Sequence, residues 1–458
     1  MRILRGKTVW FALAVMDRKT LIEEEVEING VLTIKKRKGI EEHQVYTAEP
    51  GGQYLTHSKI DDGTGLGLAR DMIDVIVETN STHSFEAILI DGTGTNVGWK
   101  TGVFVTVERL LGTQLIPLSC FLHGHELDLR HLFKDLDGAG TTGPNSFGGP
   151  LGKQCTEDDI FCLPVVAFQP ISSNLELIPS EILEDLSRDQ NLLYRYCVAI
   201  CTGHLEQSLV SQVIGAVDHS RWLTLAVRIL LVYTRTEDPS FALQTITKYI
   251  LQVYAPMWFL IRKENDFTKG ACLLFRKIKY VNDQSKKVKE VVKPVIQRNA
   301  WQVEPGTMLC GLLASKNTDD RKKGLEVLTK LKNSSLINKP RNKILRGIRK
   351  LETPTLVWSA KHWRDIVEWD KIKTGVPAIL SKISDEELLQ AVSTPVVFPK
   401  LPLHSTSVGR AVKFVSEASS KVYGTDKRHK HILGVLKSRE MMPAFETKRD
   451  FVIKSAGT

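Results

Sequence analysis

The feature that most constrains this fold is a change in hydrophobic pattern near residue 150. Residues 1–137 alternate short strand patterns with helical patterns in the order β-β-β-α-β-α-β-α, and strand patterns nearly vanish after Gly152. Three consecutive strands followed by helix–strand alternation predict a mixed sheet with helices on its faces. The long stretch after the change in pattern is predicted to be helical.

These patterns divide the chain into four parts. We predict an α/β core for residues 1–137, a Gly/Pro-rich linker for 138–152 and a helical insertion domain for 153–392. A C-terminal helix that completes the core, followed by a polar tail, is predicted for residues 393–458. The linker contains "AGTTGPNSFGGPLG", a composition typical of loops. The predicted fold class is therefore α/β plus all-α.

Composition excludes several classes of protein. No apolar run reaches the roughly 18 residues of a membrane span. The seven cysteines are scattered and none lie in a Cys-x-x-Cys pair, which favours reduced thiols in the nucleus or cytoplasm. The first apolar run is followed by Asp17, Arg18 and Lys19 without a small-residue cleavage site. We interpret that run as a buried strand and not as a signal peptide.

Two of the predicted strands end on a carboxylate. "TVWFALAVMD" stops at Asp17, and "FEAILID" stops at Asp91. In a sheet of this order the first and fourth strands can be neighbours, which would bring the two carboxylates together. Paired carboxylates are ligands suited to Mg²⁺ or Mn²⁺, and two such ions can stabilise both oxygens of a phosphoryl transfer. The structural alternative is that both acids are ordinary strand-end caps.

Positive charge is concentrated in the predicted helical domain. The chain carries a net charge of +10, and residues 316–350 hold twelve Lys/Arg against three Asp/Glu. Clustered cations favour a polyanion such as DNA, although such runs are also typical of solvated helix faces. The candidate nucleic-acid contacts are Arg221, Lys277, Lys279, Lys286, Lys287, Arg321, Lys322, Lys323, Arg341, Lys343 and Arg346. A further basic stretch, "IKKRKG" at 34–39, fits either a nuclear localisation signal or a basic hairpin edge.

Several short stretches, taken in order, carry a family resemblance. They are "AEPGGQYLTH", "ILIDGTGTN", "CFLHGHELDL", "TTGPNSFGGPLGK", "HSRWLTLA" and "MMPAFETK". Together with the element order, they resemble the hAT superfamily of cut-and-paste transposases, and more narrowly invertebrate transposon-derived proteins. The resemblance covers most of the chain. It implies a ribonuclease-H-like fold with a large helical insertion and a C-terminal helix that returns to the sheet.

The resemblance also implies roles for individual residues. Asp17 and Asp91 correspond to the first and second catalytic aspartates, Asn96 to a trailing Asn, Cys120 and His123 to a Cys-x-x-His element, and Arg221 and Trp222 to an Arg-Trp element. From the residues alone, Cys120 and His123 fit a packed thiol and a local hydrogen bond. Trp222 has apolar neighbours and fits a core position, which leaves Arg221 as the partner for a phosphate or carboxylate.

Two departures from the family pattern bear on activity. The family's third acid is a glutamate before an arginine, but Gly409 stands in that place before Arg410, and Glu417 lies eight residues further on. Glycine has no side chain to hold a metal. The first strand is expected almost at Met1, which would leave no room for the zinc finger that usually reads transposon ends.

Three functional hypotheses follow from this sequence. The first is a transposase-derived protein that has lost catalysis, binds DNA through its helical domain and retains weak Mg²⁺ binding at Asp17 and Asp91. The second is an active metal-dependent nuclease or transposase that uses another acid, such as Asp319, Asp320 or Glu417. The third is a protein-interaction module. A homo-oligomer is compatible with all three, and no cofactor is required for folding.

Overall fold

The fold is taken from a computed structural model. It describes residues 9–28, 30–138, 147–217, 222–333, 353–372, 380, 383–405, 409–412, 414–415, 427 and 430–434. For residues 9–25, 36–43, 158 and 385 it describes the backbone only. The predicted contacts Arg221, Arg341, Lys343 and Arg346, and the acid Glu417, lie outside the described residues.

One mixed sheet organises the first part of the chain. Its strands are β1 (Val9–Ile28), β2 (Val31–Glu49), β3 (Gln53–Lys59), β4 (Phe85–Ile90) and β5 (Ile116–Ser119). They lie in the order β3-β2-β1-β4-β5, and β2 is antiparallel to both of its neighbours while the β1–β4 and β4–β5 pairs are parallel. The predicted mixed sheet is confirmed, and so is the adjacency of the first and fourth strands.

The first three strands differ from their predicted bounds. The patterns "TVWFALAVMD" and "LIEEEVEI" predict the first two strands but form one continuous strand, β1, and "HQVYTAE", predicted as the third strand, is the end of β2. The observed third strand is "QYLTHSK", which was not predicted. The prediction that the first strand ends at Asp17 is therefore wrong. β1 and β2 continue together as a hairpin beyond the rest of the sheet. The alternation of acidic and apolar residues in β1 gives no signal of where the strand ends.

Helices dominate the rest of the described chain. They are α1 (Gly65–Glu78), α2 (Gly94–Val97), α3 (Val103–Leu111), α4 (Phe121–Asp137), α5 (Pro150–Thr156), α6 (Ser180–Asp185), α7 (Arg188–Thr202), α8 (Gln207–Val210), α9 (Trp222–Tyr233), α10 (Phe241–Tyr249), α11 (Ala255–Lys263), α12 (Gly270–Asn282), α13 (Lys286–Arg298), α14 (Pro305–Leu313), α15 (Thr318–Lys332) and α16 (Asp385–Gln390). Five short 3₁₀ turns, at Asp158–Cys162, Phe267–Lys269, Trp301–Val303, Trp363–Asp365 and Trp369–Lys371, are also described. The molecule is thus an α/β sheet joined to a mainly helical part.

Each face of the sheet packs against helices. Side chains such as Ile88 and Ile90 of β4 pack with α1 and α3 on one face. Their alternates Ala87 and Leu89 belong to a larger apolar cluster on the other face, which continues through α4 into the helices as far as Leu403. Because successive residues of a strand point to opposite faces, β4 is buried on both sides. The sheet and the helical part therefore share one hydrophobic core.

A π-helical turn, Ile250–Tyr254, joins α10 to α11 inside this core. Pro256 follows it and cannot donate a backbone N–H, so carbonyls in this turn need other donors. Ser173 Oγ donates to the Leu251 carbonyl at 2.6 Å, and Asn174 Nδ2 donates to that of Gln252 at 2.7 Å. Ser173 and Asn174, in the extended segment after the predicted linker, thus supply the hydrogen-bond donors that the carbonyls of this turn need.

A proline-containing segment at residues 398–405 crosses between the two parts of the molecule. The Phe121 amide at the start of α4 donates to the Leu403 carbonyl at 2.8 Å. The Phe267 amide donates to the Leu401 carbonyl, also at 2.8 Å. This segment, which we call the crossing segment, is therefore hydrogen-bonded to the carboxyl end of the sheet and to the helical part.

Beyond the crossing segment, residues 409–412 and 414–415 are helical. Ala411, Phe414 and Val415 pack with Val45 of β2 and Tyr54 of β3. The rings of Phe414 and Tyr54 meet edge to face, with centroids 5.8 Å apart. A late helical segment therefore lies against the sheet.

Candidate functional site

Asp91 occupies the position immediately after β4. Its Oδ1 accepts hydrogen bonds from the Thr93 amide at 3.0 Å and from Asn96 Nδ2 at 2.8 Å. Asn96 lies on α2 and is only 7% exposed. The short turn after the strand therefore holds one carboxylate oxygen in place, and the trailing Asn is its hydrogen-bond donor.

Three further polar side chains lie beside the tip of β4. A Cβ added at Gly92 would lie 3.7 Å from Ser119 Oγ, 3.8 Å from Asn299 Oδ1 and 3.9 Å from His123 Cδ2. Ser119 ends β5, His123 is in the first turn of α4, and Asn299 follows α13. Gly92 thus allows two strand tips and two helix ends to converge. We call Asp91, Ser119, His123 and Asn299 the strand-tip cluster.

The backbone register places Asp17 within β1, opposite Glu42. Ala12 pairs with Leu89, so an unbroken register would bring residue 14 level with Asp91. Asp17 is three residues further on, about 10 Å at the usual rise of a strand. Its side chain is outside the described part, and the predicted meeting of the two carboxylates stays a prediction.

Cys120 lies between β5 and α4, and not within a strand as predicted. Its Sγ accepts hydrogen bonds at 3.4 Å from both the amide and the hydroxyl of Ser405. Burial raises the pKa of the Cys120 thiol, so it stays neutral. The described contacts give Cys120 a structural role, which is to fasten the end of the crossing segment beside the strand tips.

Glu126 lies one turn after His123 on α4. Burial raises the pKa of its carboxyl group to about 8. At neutral pH the group is therefore mainly protonated and poorly suited to hold a metal ion as a carboxylate. No motif in the sequence marks this residue.

Gly409 is exposed, and a Cβ added to it would meet no atom within 4 Å. Its amide donates to the Ser405 carbonyl at 2.9 Å. The next residue, Arg410, is buried and forms an ion pair with Asp185 of α6. Position 409 thus has room for a side chain and is held between the Cys120 contact and the helix that packs on β2 and β3.

The described side chains do not by themselves complete a metal site. Among the residues with described side chains, no group of three His, Cys, Asp or Glu is placed to hold an ion. Asp91 supplies one carboxylate, and one of its oxygens is already bonded to Thr93 and Asn96. We therefore derive no metal-dependent step from this geometry.

The structure corrects two of the predicted nucleic-acid contacts. Lys277 is 2% exposed, and its Nζ forms an ion pair with buried Asp128. Arg321 is 3% exposed and donates to backbone carbonyls at both ends, including those of Ala391 and Ser315 at 2.8 Å. A basic run in sequence does not reveal which of its members face the core. Neither cation can reach a phosphate on the surface.

The remaining described candidates lie at or near the surface. Lys279, Lys286, Lys287 and Lys322 are exposed, and Lys323 is half-buried. Lys287 and Lys323 already have carboxylate partners, Asp135 at 3.5 Å and Glu326 at 3.2 Å. Exposed pairs of this kind are weak, so they reduce the local positive charge without excluding a phosphate.

A second group of cations, missed in the sequence, lies on α4 and at the end of α13. Burial lowers the pKa of His131 on α4, and the charges of Arg298 and Arg130 lower it further. Lys134, one turn along α4, acts in the same direction. Arg298 directly precedes Asn299 of the cluster. No sequence signal marks this group, because it depends on the packing of α13 against α4.

Trp222 is confirmed as a core residue. It is 5% exposed, and its ring lies 5.8 Å from that of Phe147 and 6.4 Å from that of Phe133. Arg130 lies over its indole at 5.9 Å.

Asp320, one of the alternative acids, is a structural residue. Its carboxylate accepts from Ser315 Oγ at 2.8 Å, from Arg364 at 3.1 Å and from the Trp363 indole at 3.2 Å. These bonds occupy both oxygens and join α15 to the segment around Trp363. Asp319 is exposed in the first turn of the same helix, which Asn317 caps, and it makes no described contact with the strand tips.

Comparison with family models, curated proteins and solved structures finds no match for this chain. In the part of the chain that the structure describes, every helix is too short or too polar to cross a membrane.

Proposed function

We propose that this chain is a transposase-derived protein with a ribonuclease-H-like core, which binds DNA and has lost strand cleavage. The observation that carries the proposal is the strand order β3-β2-β1-β4-β5 with β2 alone reversed, and with Asp91 at the tip of β4. Ribonuclease-H-like enzymes place their first two acids on the strands that correspond to β1 and β4. The motif order in the sequence supports the same assignment.

The environment of Gly409 supports the loss of activity. Ser405 touches Cys120 beside the tip of β5, whereas Ala411 packs on β2. In the sheet, β4 and β1 lie between those two strands. Residue 409 lies between these two contacts along the chain, and we assign the missing third acid to this position because Gly409 carries no side chain.

A single substitution tests this proposal. Gly409→Glu should introduce Mg²⁺-dependent nicking of plasmid DNA, with an initial rate at least about tenfold above that of the unmodified protein, or about 1.4 kcal/mol in barrier. The variant should fold, because the added side chain enters open space and Gly is unfavourable in a helix by about 1 kcal/mol.

Gly409→Gln is the matched control, since it has the same size without the charge. The proposal predicts that this variant stays as inactive as the unmodified chain. Equal rates for the Glu and Gln variants, or Mg²⁺-dependent cleavage by the unmodified protein, would contradict the account of a lost acid.

DNA binding rests on the net charge of +10 and on the cations of α4 and the end of α13 that act together on His131. If about four phosphates are neutralised, the affinity for a non-specific duplex should fall about a hundredfold between 50 and 200 mM salt, since each contact releases a counterion. Replacing Arg298 and Lys134 by Ala should reduce the slope of log Kd against log salt by about two. Fluorescence anisotropy measures both effects.

Lys371→Ala is the control for DNA binding, because Lys371 is an exposed cation outside the proposed contact residues, with its Nζ 2.8 Å from Glu368. That variant should keep the salt slope of the unmodified chain. An affinity that does not respond to salt would remove the phosphate-contact account, whatever the outcome at residue 409.

A further inference from the structure

The hairpin of β1 and β2 extends well beyond the sheet. β1 pairs with β4 only as far as Ala12, and β2 pairs with β3 only from His43 onward. Residues 17–28 and 31–42 are paired with each other in twelve consecutive rows, from Asp17 with Glu42 to Ile28 with Val31. Among the described residues no third strand pairs with them. We call this two-stranded ribbon, about 40 Å long, the β-arm.

The two strands of the β-arm carry opposite charges near the tip. The acidic run Glu23, Glu24, Glu25 and Glu27 is on β1, and the basic run Lys35, Lys36, Arg37 and Lys38 is on β2. In register, Glu23 is opposite Lys36 and Glu24 is opposite Lys35. Toward the tip of the ribbon β1 is thus acidic and β2 is basic, whereas Arg18 and Glu41 reverse this order at the base.

The tip of the β-arm also exposes large apolar side chains. Ile28, Val31, Leu32 and Ile34 are 46%, 64%, 72% and 60% exposed. Ile28 and Val31 are direct partners and share one face of the ribbon with Val26 and Thr33, whereas Leu32 and Ile34 lie on the opposite face with their partners Glu27 and Glu25. An isolated two-stranded ribbon with uncovered apolar residues and two free edges is unstable and prone to associate.

We infer that the β-arm packs face to face against the β-arm of a second copy of this chain, through the face of Val26, Ile28 and Val31. A two-fold axis parallel to the arms would place the acidic strand of each copy over the basic strand of the other. The apolar residues of the two tips would then cover each other. On this face Glu24 of each copy would lie over Lys35 of the other, which makes the face self-complementary in charge.

Other arrangements of two arms are less favourable. Pairing of identical edges in a symmetric dimer would set acidic against acidic or basic against basic residues, and like charges in contact are destabilising. Pairing of an acidic edge with a basic edge is not symmetric and would produce open chains rather than a closed dimer. The stacked dimer avoids both problems.

The charge of the β-arm favours a protein partner over nucleic acid. Its residues 17–28 and 31–42 contain seven acidic and six basic side chains, a net charge of −1. The whole chain, by contrast, carries +10. A neutral ribbon gains little from phosphate contacts, which depend on clustered cations.

The expected interface is small. A ribbon about 40 Å long and about 10 Å wide would bury roughly 800 Å² in total, which is below the range of stable dimers. We therefore expect a reversible dimer with a Kd on the order of 10 µM, visible by sedimentation velocity between 1 and about 100 µM protein.

Charge exchange tests the proposal. The variants Glu24→Lys and Lys35→Glu, both on the proposed contact face, should each be monomeric at about 100 µM, because like charges would then face each other across the stack. An equimolar mixture of the two variants should form a heterodimer. Circular dichroism would check that the core remains folded.

A pair of single variants at neighbouring positions gives the matched control. Val31→Lys lies on the proposed contact face and should abolish the dimer, whereas Leu32→Lys lies on the opposite face and should retain it. A monomeric unmodified chain at about 100 µM would overturn the proposal. So would a dimer that responds equally to both substitutions, or arm variants that alter affinity for duplex DNA but not sedimentation.

Discussion

The substitution Asp128→Asn is expected to lower the free energy of unfolding by about 3–5 kcal/mol, measured by urea denaturation at pH 7. Asp128 and Lys277 have side-chain exposures of 0% and 2% and form an ion pair inside the helical core. Removal of the carboxylate leaves an ammonium group buried without its counter-charge. Few other single substitutions outside the strand-tip cluster should lower the free energy of unfolding by as much.

The surroundings explain why relaxation will not rescue this variant. His125 is fully buried, stacks on Tyr254 with ring centroids 5.0 Å apart, and makes a 2.8 Å hydrogen bond to the Tyr254 carbonyl of the π-helical turn. Burial lowers the pKa of His125, and the charge of Lys277 lowers it further, so the ring stays neutral. A neutral imidazole ring cannot replace the negative charge of the Asp128 carboxylate.

The stability of Asp128→Asn is expected to change with pH in a direction that the pKa of Lys277 determines. Burial lowers the pKa of Lys277, and Asp128 opposes that effect. Without Asp128 the pKa in the folded state falls further below the unfolded value, so the folded state binds fewer protons. Stability of Asp128→Asn should then rise with pH as Lys277 loses its proton, and the deficit should be largest in acid. A deficit that stays constant with pH would contradict this explanation.

Two controls separate the buried pair from a general effect on α4. The double variant Asp128→Asn with Lys277→Met should lose much less stability than the single variant, since no unpaired charge remains. Asp135→Asn, on the same helix, removes only an exposed partner of Lys287 and should cost less than about 1 kcal/mol. Equal losses for Asp128→Asn and the double variant would show that packing, not charge, is responsible.

Asp185→Asn is expected to cost about 3 kcal/mol and to loosen the helical segment at residues 409–415. Asp185 forms ion pairs with both Arg262 and Arg410, whose side chains are each 9% exposed. His404 is also buried nearby, and burial together with the charges of these two arginines holds its pKa well below the usual value. The Asp185 carboxylate thus supplies the negative charge that pairs with two buried guanidinium groups.

Hydrogen exchange at the amides of 409–415, together with urea denaturation, measures this prediction. Faster exchange there than in α1 would show local release of the segment that carries Gly409. Glu181→Gln, an exposed acid on the same helix, should leave both measurements unchanged. Unchanged exchange in Asp185→Asn would mean that packing on β2 and β3 alone holds the segment.

Local patterns predicted the elements whose residues make local contacts. The helix that ends before Gly112 is α3, and this glycine has a φ of 65°, a left-handed conformation that glycine adopts without strain. The strand that ends before Asp91 is β4, since an apolar run followed by Asp and Gly marks a buried strand and its turn. From α1 to α4 the alternation of helices and strands was predicted, apart from the short helix α2, whereas the first three strands were divided wrongly.

Features that depend on distant contacts could not be predicted. Lys277 and Arg321 belong to basic runs, and only the fold shows that they are buried against Asp128 and the Ala391 carbonyl. The strand-tip cluster includes Asn299, about 200 positions after Asp91, and no spacing rule connects the two. A run of basic residues shows only the local composition of the chain. Which of its side chains are buried is decided by the packing of helices that are distant in sequence.

The crossing segment has a consequence for shortened forms of this protein. A product that ended before residue 398 would lack the carbonyl acceptors for the Phe121 and Phe267 amides. It would also leave open the end of a core that runs without interruption from the sheet to Leu403. Such fragments would be substrates for chaperones and proteases, so a mutation that truncates the last part of the gene would remove the protein from the cell rather than release a smaller domain.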